Sequence, residues 1–210
     1  MSRLLASLLI SIVAIAPAVA QISIPGFGNK SSTAAPADLP GAQDQLVNLY
    51  AAAGKNVLTG NAKMADAVGL KDKAAAARAA GDALGDGATK GALNDADKAT
   101  SDTNAAIAEK LKNTDKMDAP AKQQYAAGIV SLAQGLVKYT AMKGSFTSFQ
   151  KSLSSASPML LPKLQTGAYI VSSFPSSLTN LSSALSNAVA FAKTHDIPVP
   201  KDATDALGNM

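Results

Sequence analysis

The sequence predicts an all-α fold, a single bundle of five to six helices with a long central helix. Apolar residues recur at every third or fourth position, no stretch alternates as a β-strand does, and capping residues with prolines precede several of the predicted helices. The 190 residues that follow a predicted export signal are enough for one domain with a buried core.

Residues 1–20 have the features of a cleavable export signal. Arg3 precedes an apolar run over residues 4–16, and the small residues Ala18 and Ala20 form a cleavage site. We expect cleavage after Ala20 and a location in the bacterial periplasm or outside the cell. The apolar run is shorter than the roughly 20 residues of a membrane span, so no transmembrane segment is expected in the mature chain.

Residues 21–38 are a predicted flexible tail, because Ser, Thr, Ala and Pro dominate their second half. The first half carries an apolar tip. We interpret this tip as a candidate docking element, either for the bundle itself or for a partner, formed by Ile22, Ile24 and Phe27.

The bundle domain is predicted over residues 39–210, and its first half, 39–117, is expected to be weakly anchored because alanine and glycine replace larger apolar residues. Asp38 is a good N-cap for a first helix over about 39–68. Within that helix, Gly54 and Gly60 are expected to cause a bend or a break.

Two further helices are predicted in the first half. The alanine-rich residues 71–84 favour a second helix, and residues 93–117 carry a narrow stripe of mostly small apolar residues. Between them, four glycines fall within residues 81–91, which predicts a mobile loop.

The second half of the bundle, residues 118–194, is better patterned. Asp118 caps the predicted central helix, Ala119–Leu153, whose apolar stripe faces a polar side. A fifth helix is predicted to begin at Ser157-Pro158 and to end at Phe174-Pro175, where a sixth begins.

The last segment, residues 195–210, is predicted to be an extended tail because Pro198 and Pro200 interrupt it. Asp202 is expected to cap one short helical turn near the end of the chain.

Composition argues against several kinds of site. The chain has no cysteine and one histidine, so no zinc or copper site, no disulfide and no cofactor are expected. After removal of the signal, eighteen basic and fifteen acidic side chains leave a net charge of +3. The lysines are scattered and Arg78 is the only arginine left, which argues against a nucleic-acid partner.

Three local patterns match parts of known motifs, and each lacks an essential component. His195 and the aspartate that follows it could form a catalytic pair, but a histidine at a helix end more often satisfies terminal carbonyls. Asp82 and Asp86 match two positions of a calcium loop that lacks its final glutamate. Ser148 and Lys151 match the serine–lysine spacing of penicillin-binding enzymes without their companion motifs. No catalytic residue and no enzymatic activity are therefore expected.

Two functions remain open at this level. The first is a non-enzymatic interaction protein that acts in the cell envelope or after secretion, with an unidentified envelope protein as its partner. The second is a carrier of a lipid or another apolar small molecule, in a groove between the central and C-terminal helices.

The candidate apolar binding face spans the join between the predicted central and fifth helices. Ordinary core packing is the alternative reading of the same residues. If they form a ligand site, a polar substitution of Phe149 should reduce ligand binding more than stability. The face comprises Met142, Phe146, Phe149, Met159, Leu160 and Leu161.

Overall fold

The computed structural model describes residues 38–209, and this part of the chain contains helices and no strand. The predicted all-α bundle is confirmed, and residues 38–209 form seven α-helices in place of five to six. Their bounds are α1 Leu39–Ala67, α2 Lys71–Asp82, α3 Lys90–Leu111, α4 Ala119–Ala141, α5 Lys143–Ser154, α6 Gln165–Thr194 and α7 Lys201–Gly208.

The predicted export signal, residues 21–37 of the predicted tail and the candidate docking tip of Ile22, Ile24 and Phe27 lie outside the described residues. Among the helices that are described, none combines the length and the hydropathy needed to cross a bilayer.

Helix α1 is the centre of the core, and the expectation of weak anchoring does not hold for it. Fifteen of its 29 residues are buried, against nine of the 23 residues in α4. The helix starts as predicted, because Asp38 Oδ1 accepts a hydrogen bond of 2.9 Å from the Gly41 amide. It ends before Gly69, which has a φ of +79°.

Helices α1 and α4 run antiparallel and approach so closely that glycine replaces side chains between them. A Cβ atom at Gly60 would lie 2.8 Å from the carbonyl oxygen of Gly128. Gly60 therefore does not break α1, although the sequence predicted a bend or a break there. Its missing side chain allows the two helix backbones to meet, and the larger apolar residues Met64 and Leu132 fill the space beside the contact.

The predicted central helix is interrupted. Residue Met142, with φ −81° and ψ −4°, separates α4 from α5, although the Phe146 amide still donates to the Met142 carbonyl at 2.9 Å. Met142 is almost fully buried. Because of this interruption, α5 packs on α1 and α6. The sequence predicted one uninterrupted helix and therefore did not predict this packing.

The longest helix is α6, which continues through the predicted break at Pro175. Pro175 is exposed, and the residue before it, Phe174, is buried with its ring centroid 4.6 Å from that of Phe146. Packing on the inner side keeps the helix continuous, whereas the proline removes only one backbone donor on the outer side. The predicted helix start at Ser157-Pro158 is also replaced, by a turn and the 3-10 segment Leu161–Leu164.

The C-terminal segment is not a fully extended tail. Helix α6 ends in a Schellman-type turn, in which the Ile197 amide donates to the Ala192 carbonyl at 3.0 Å while Asp196 has a φ of +53°. Helix α7 then begins after Pro200 and packs its small residues against the bundle, chiefly against α4. Asp202 lies inside α7 and is not its cap.

The loop between α2 and α3 is packed on the domain despite its glycines. Leu84 is buried, and the Gly87 amide donates to Asn48 Oδ1 of α1 at 2.8 Å. Thr89 then caps α3 by accepting from the Ala92 amide at 3.2 Å, so α3 begins three residues earlier than the stripe at Leu93 indicated.

Candidate functional site

Helices α3 and α6 face each other with stripes of small polar residues. On α6 the stripe recurs every third or fourth residue from Tyr169 to Asn187, and on α3 it runs from Asp97 to Asn104. Short side chains do not fill the space between two helices, so an open cleft remains above α1 and α4. We call it the α3–α6 cleft.

The α3–α6 cleft has two adjoining ends that share Ser101 and Asn180 as lining residues. The polar end has a volume of about 130 Å³ and is lined by Asp97, Thr100, Ser101, Tyr139, Tyr169, Ser173, Ser176, Ser177 and Asn180. The apolar end has a volume of about 280 Å³ and is lined by Met64, Ser101, Asn104, Ile107, Ala108, Leu111, Tyr125, Asn180, Ser183, Ala184, Asn187 and Ala188.

Asp97 organises the polar end. Its Oδ2 accepts a hydrogen bond from the Tyr50 hydroxyl at 2.7 Å and another from the Tyr169 hydroxyl at 2.7 Å. The Tyr50 oxygen also lies 2.8 Å from Ser177 Oγ. Since the single hydroxyl proton of Tyr50 is donated to Asp97, Ser177 must be the donor in that last bond. The network joins α1, α3 and α6.

The carboxylate of Asp97 has no cationic partner in residues 38–209, where the ion pairs involve other acidic side chains. Burial raises the pKa of Asp97, and the hydrogen bonds from Tyr169 and Tyr50 offset only part of this effect. A half-buried carboxylate without a counter-ion, in a polar pocket, is a common feature of binding and catalytic sites.

The tyrosines around Asp97 are neutral hydrogen-bond donors. Burial, together with the hydrogen bond to Asp97, raises the pKa of Tyr169 to about 12. Burial and the neighbouring Tyr139 and Asp97 raise the pKa of Tyr50 further. The Tyr50 and Tyr139 rings, with centroids 5.3 Å apart, form a rigid wall behind the network.

The apolar end combines an apolar floor with a polar rim. Met64, Ile107 and Ala188 are buried at the floor, whereas Asn180 and Asn187 are exposed at the rim. No side chain that lines this end carries a charge at neutral pH. The surface therefore suits a molecule that is apolar on one side and can accept or donate hydrogen bonds on the other.

Tyr125, which lines the apolar end, has a buried hydroxyl with no hydrogen-bond partner among the described residues. Its ring is fully buried against Phe191, with a centroid distance of 5.4 Å. Asn61, on α1 below α3, is similar, because its Oδ1 is buried without a partner while its Nδ2 donates to the Thr100 carbonyl at 3.4 Å. Unpaired buried polar atoms cost about 1–3 kcal/mol each.

Comparison of the chain with protein-family models, with curated proteins and with solved structures found no match in any of the three. The function must therefore be inferred from the cleft and its chemistry.

The structure distributes the predicted apolar face between core and surface. Met142 and Phe149 are almost fully buried, and a Cβ atom at Gly167 would collide with the Phe149 ring. Phe146 and Leu160 are partly buried against the core. In contrast, Met159 and Leu161 are 87% and 46% exposed. These six residues do not line the α3–α6 cleft, and Met142 and Phe149 are core residues.

The other sequence candidates lie away from the cleft. His195 ends α6 as predicted, with Nδ1 2.9 Å from the Phe191 carbonyl oxygen and its ring stacked on Phe191 at 3.8 Å. Ser148 and Lys151 are exposed on α5. Within residues 38–209, no three His, Asp or Glu side chains come together as a metal site would require.

The cleft residues were not predicted, because only apolar stripes were considered as candidate binding faces. The sequence feature that indicates the cleft is the recurrence of serines and asparagines at helical spacing along α6, from Ser173 to Asn187. All four tyrosines of the chain border this cleft, three at the polar end and Tyr125 at the apolar end. Which helix would face these residues could not be read from spacing alone.

Proposed function

We propose that this protein is an exported, non-enzymatic binding protein whose α3–α6 cleft carries a small amphipathic molecule. The observation that supports the proposal best is the junction of a neutral apolar end with a hydrogen-bonding polar end in one continuous cleft. This arrangement matches the usual composition of ligand pockets, which are mostly apolar with a few placed polar groups.

The proposal keeps the carrier function inferred from the sequence but moves its site. The groove was expected between the central and C-terminal helices, at the face that includes Phe149. In the folded chain, α6 still forms one wall, α3 forms the other, and α4 contributes Tyr125 and Tyr139 to the base.

The uncharged lining of the apolar end supports a ligand whose body at that end is uncharged. The neutral Asn and Ser side chains of the rim would then fix the orientation of the molecule without selecting a charge.

Among the described residues that line the polar end, no serine or threonine is hydrogen-bonded to a general base, which supports binding over catalysis. Asp97 is held by two tyrosine donors, and both tyrosines have raised pKa values, which makes them poor bases at neutral pH.

The test is native mass spectrometry of the protein purified from its own host. We expect an adduct of small-molecule mass that dissociates on collisional activation. In the variant Ala184→Phe, a ring placed in the wall of the apolar end should remove the adduct, since Ala184 is only partly exposed there. Ala190→Phe is the matched control, because Ala190 is exposed on α6 and does not line the cleft.

Protein that carries no adduct would overturn the proposal. An adduct that Ala184→Phe retains as fully as the control would also overturn it, because the molecule would then lie elsewhere. Circular dichroism of both variants establishes that each remains folded.

The interaction-protein function is a second candidate, and one observation favours it. Met159 is 87% exposed and Leu161 is 46% exposed in the short connection between α5 and α6. Two large apolar side chains exposed so close together are more typical of a contact surface than of a connecting loop.

Co-purification from cell-envelope extracts tests this candidate. The double variant Met159→Ser, Leu161→Ser should lose a partner that the parent protein retains, and Val137→Ser, which also removes an exposed apolar side chain, should not. Deletion of residues 21–37 tests the predicted docking tip in the same assay. If all variants retain the same envelope proteins, neither surface binds a partner.

A further inference from the structure

We propose that the polar end of the α3–α6 cleft recognises an ammonium group, so that the carried molecule is an amine with an apolar body. This inference rests on the proposed function and specifies the chemical class of its ligand. It is carried by the position of Asp97, which within residues 38–209 is the only charged side chain that lines either end of the cleft.

The first step is the charge of the site. Within the described residues no lysine, arginine or histidine forms an ion pair with Asp97. The nearest lysine in sequence, Lys98, is exposed and pairs with Asp102 at 2.6 Å. A half-buried carboxylate left without a counter-ion attracts a cation and repels an anion, so carboxylate and phosphate ligands are disfavoured.

The second step is the carboxylate oxygen that accepts no hydrogen bond. Both tyrosine hydrogen bonds reach Oδ2 of Asp97, and in residues 38–209 none is made to Oδ1. Two donors on one oxygen fix the carboxylate plane and leave the other oxygen available. An ammonium group has three N–H donors and no acceptor, which complements this oxygen.

The third step is the surroundings of that oxygen. The rest of the polar end is made of hydroxyl groups, the Asn180 amide and the rings of Tyr139 and Tyr169. Ser176 already donates its proton to the Ser173 carbonyl at 2.7 Å, so its oxygen is left as an acceptor. Serine oxygens accept the remaining N–H groups, and tyrosine faces attract a cation.

The fourth step argues against a calcium ion as the natural occupant. Calcium takes six to eight oxygen ligands, several of them carboxylates, whereas a single carboxylate lines this end. Hydroxyl groups alone are poor substitutes for the missing carboxylates.

The fifth step is the length of the cleft. From Asp97 to Asn104 the distance along α3 is about 10 Å, at about 1.5 Å per residue. A ligand whose ammonium group contacts Asp97 therefore extends past the shared residues Ser101 and Asn180 into the apolar end. An octyl chain is of comparable length, which makes n-octylamine a suitable probe.

The experiment is a set of isothermal titrations at pH 7.5 with n-octylamine, 1-octanol and octanoate, which share one chain and differ in head-group charge. We expect octylamine to bind at least about tenfold more tightly than octanol, as one charge-assisted hydrogen bond implies. Octanoate should bind most weakly.

Two variants test whether Asp97 causes the preference for octylamine over octanol. Asp97→Asn keeps an oxygen that can accept from both tyrosines but removes the charge, and it should lower octylamine affinity to that of octanol. Asp95→Asn is the matched control, because Asp95 is an exposed aspartate two residues away that lines neither end of the cleft. It should retain the full preference for the amine.

The outcomes separate this inference from the proposed function. Equal affinities for octylamine and octanol, both lost in Ala184→Phe, would overturn the ammonium site and support the cleft as a carrier. A preference for octylamine that persists in Asp97→Asn would overturn the role of Asp97. If no probe binds, the ammonium site is overturned, and the adduct experiment on host-purified protein decides the carrier function separately.

Discussion

The Tyr50 hydroxyl lies 2.7 Å from Oδ2 of Asp97 and donates a hydrogen bond to it, which joins the centre of α1 to α3. The same oxygen accepts from Tyr169 of α6. Three helices therefore converge on one carboxylate that has no counter-ion among the described residues. An uncompensated charge is unfavourable for folding, and this gives the first prediction.

Asp97→Asn should be slightly more stable than the parent at pH 7. Burial raises the pKa of Asp97, so keeping it ionised costs free energy at pH values above the ordinary aspartate range. We expect a gain below about 1 kcal/mol, which corresponds to a rise in Tm of less than about 4 °C. The gain should shrink as the pH falls and Asp97 becomes protonated. Thermal unfolding at several pH values measures it, and Asp95→Asn should show no such trend.

Tyr125→Phe should leave the stability unchanged or raise it by up to about 1 kcal/mol, because the hydroxyl it removes has no partner in the described part of the chain. Tyr50→Phe is the same chemical change at a hydroxyl that bonds both Asp97 and Ser177. That variant should lose about 1–3 kcal/mol. Urea unfolding compares the two, and similar losses would contradict the assignment of Tyr125 as unpaired.

Gly128→Ala should destabilise the bundle by about 1–3 kcal/mol through overpacking. The added Cβ would collide with Met64 and lie 2.9 Å from the Gly60 carbonyl oxygen. Gly144→Ala in α5 meets nothing within 4 Å and should stabilise by up to about 1 kcal/mol. A chemical denaturation series on both variants tests the close approach of α1 and α4, and a neutral Gly128→Ala would refute it.

Phe149→Ala should lose about 3–5 kcal/mol, as expected for a large core side chain. Phe149 is 2% exposed and packs on Gly167. This replaces the expectation from sequence that a change at Phe149 affects a ligand more than stability. Met159→Ala, at a position 87% exposed, should change stability by less than about 0.5 kcal/mol. Comparable effects in the two variants would place Phe149 outside the core.

Asp66→Asn should destabilise the protein by about 1 kcal/mol at neutral pH. Asp66 accepts from Arg78, from Lys71 at 3.1 Å and from Gln124 at 3.3 Å, which links α1 to α2 and α4. Burial alone would raise its pKa, but the hydrogen bonds from Arg78 and Lys71 outweigh it and lower the pKa.

The pH dependence of this variant has the opposite sign to that of Asp97→Asn. A lowered pKa means that the stabilisation by Asp66 is complete above the ordinary aspartate pKa of about 4 and is lost as the pH falls through the folded-state value. The difference between parent and Asp66→Asn should therefore disappear in acid. A difference that persists at low pH would point to packing and not to charge.

The sequence was sufficient for the fold class and for the starts of α1, α2 and α4. Capping residues such as Asp38 and Asp118 act through bonds within one helical turn, and both cap as predicted. The errors occurred where a local signal competed with packing. Pro175 and Gly60 were read as breaks, but buried neighbours on the inner faces of α6 and α1 keep both helices continuous.

Little of the candidate site could be predicted from the sequence. Apolar residues at helical spacing, such as Met142 and Phe149, proved to be core, which spacing cannot distinguish from a binding face. Asp97 stood out in no motif, because its significance depends on Tyr50 and Tyr169, which are 47 and 72 residues away in the chain. Only tertiary structure brings the three together.

The most direct test of the ligand site is a ¹H–¹⁵N correlation spectrum of the protein titrated with n-octylamine, in which side-chain amides are resolved together with the backbone. Three asparagines of the α3–α6 cleft, Asn104, Asn180 and Asn187, provide reporters along its apolar end. We predict that their amide signals and the Asp97 backbone signal shift with one binding curve. Shifts confined to residues 142–161, or no shifts at all, would contradict a binding site between α3 and α6.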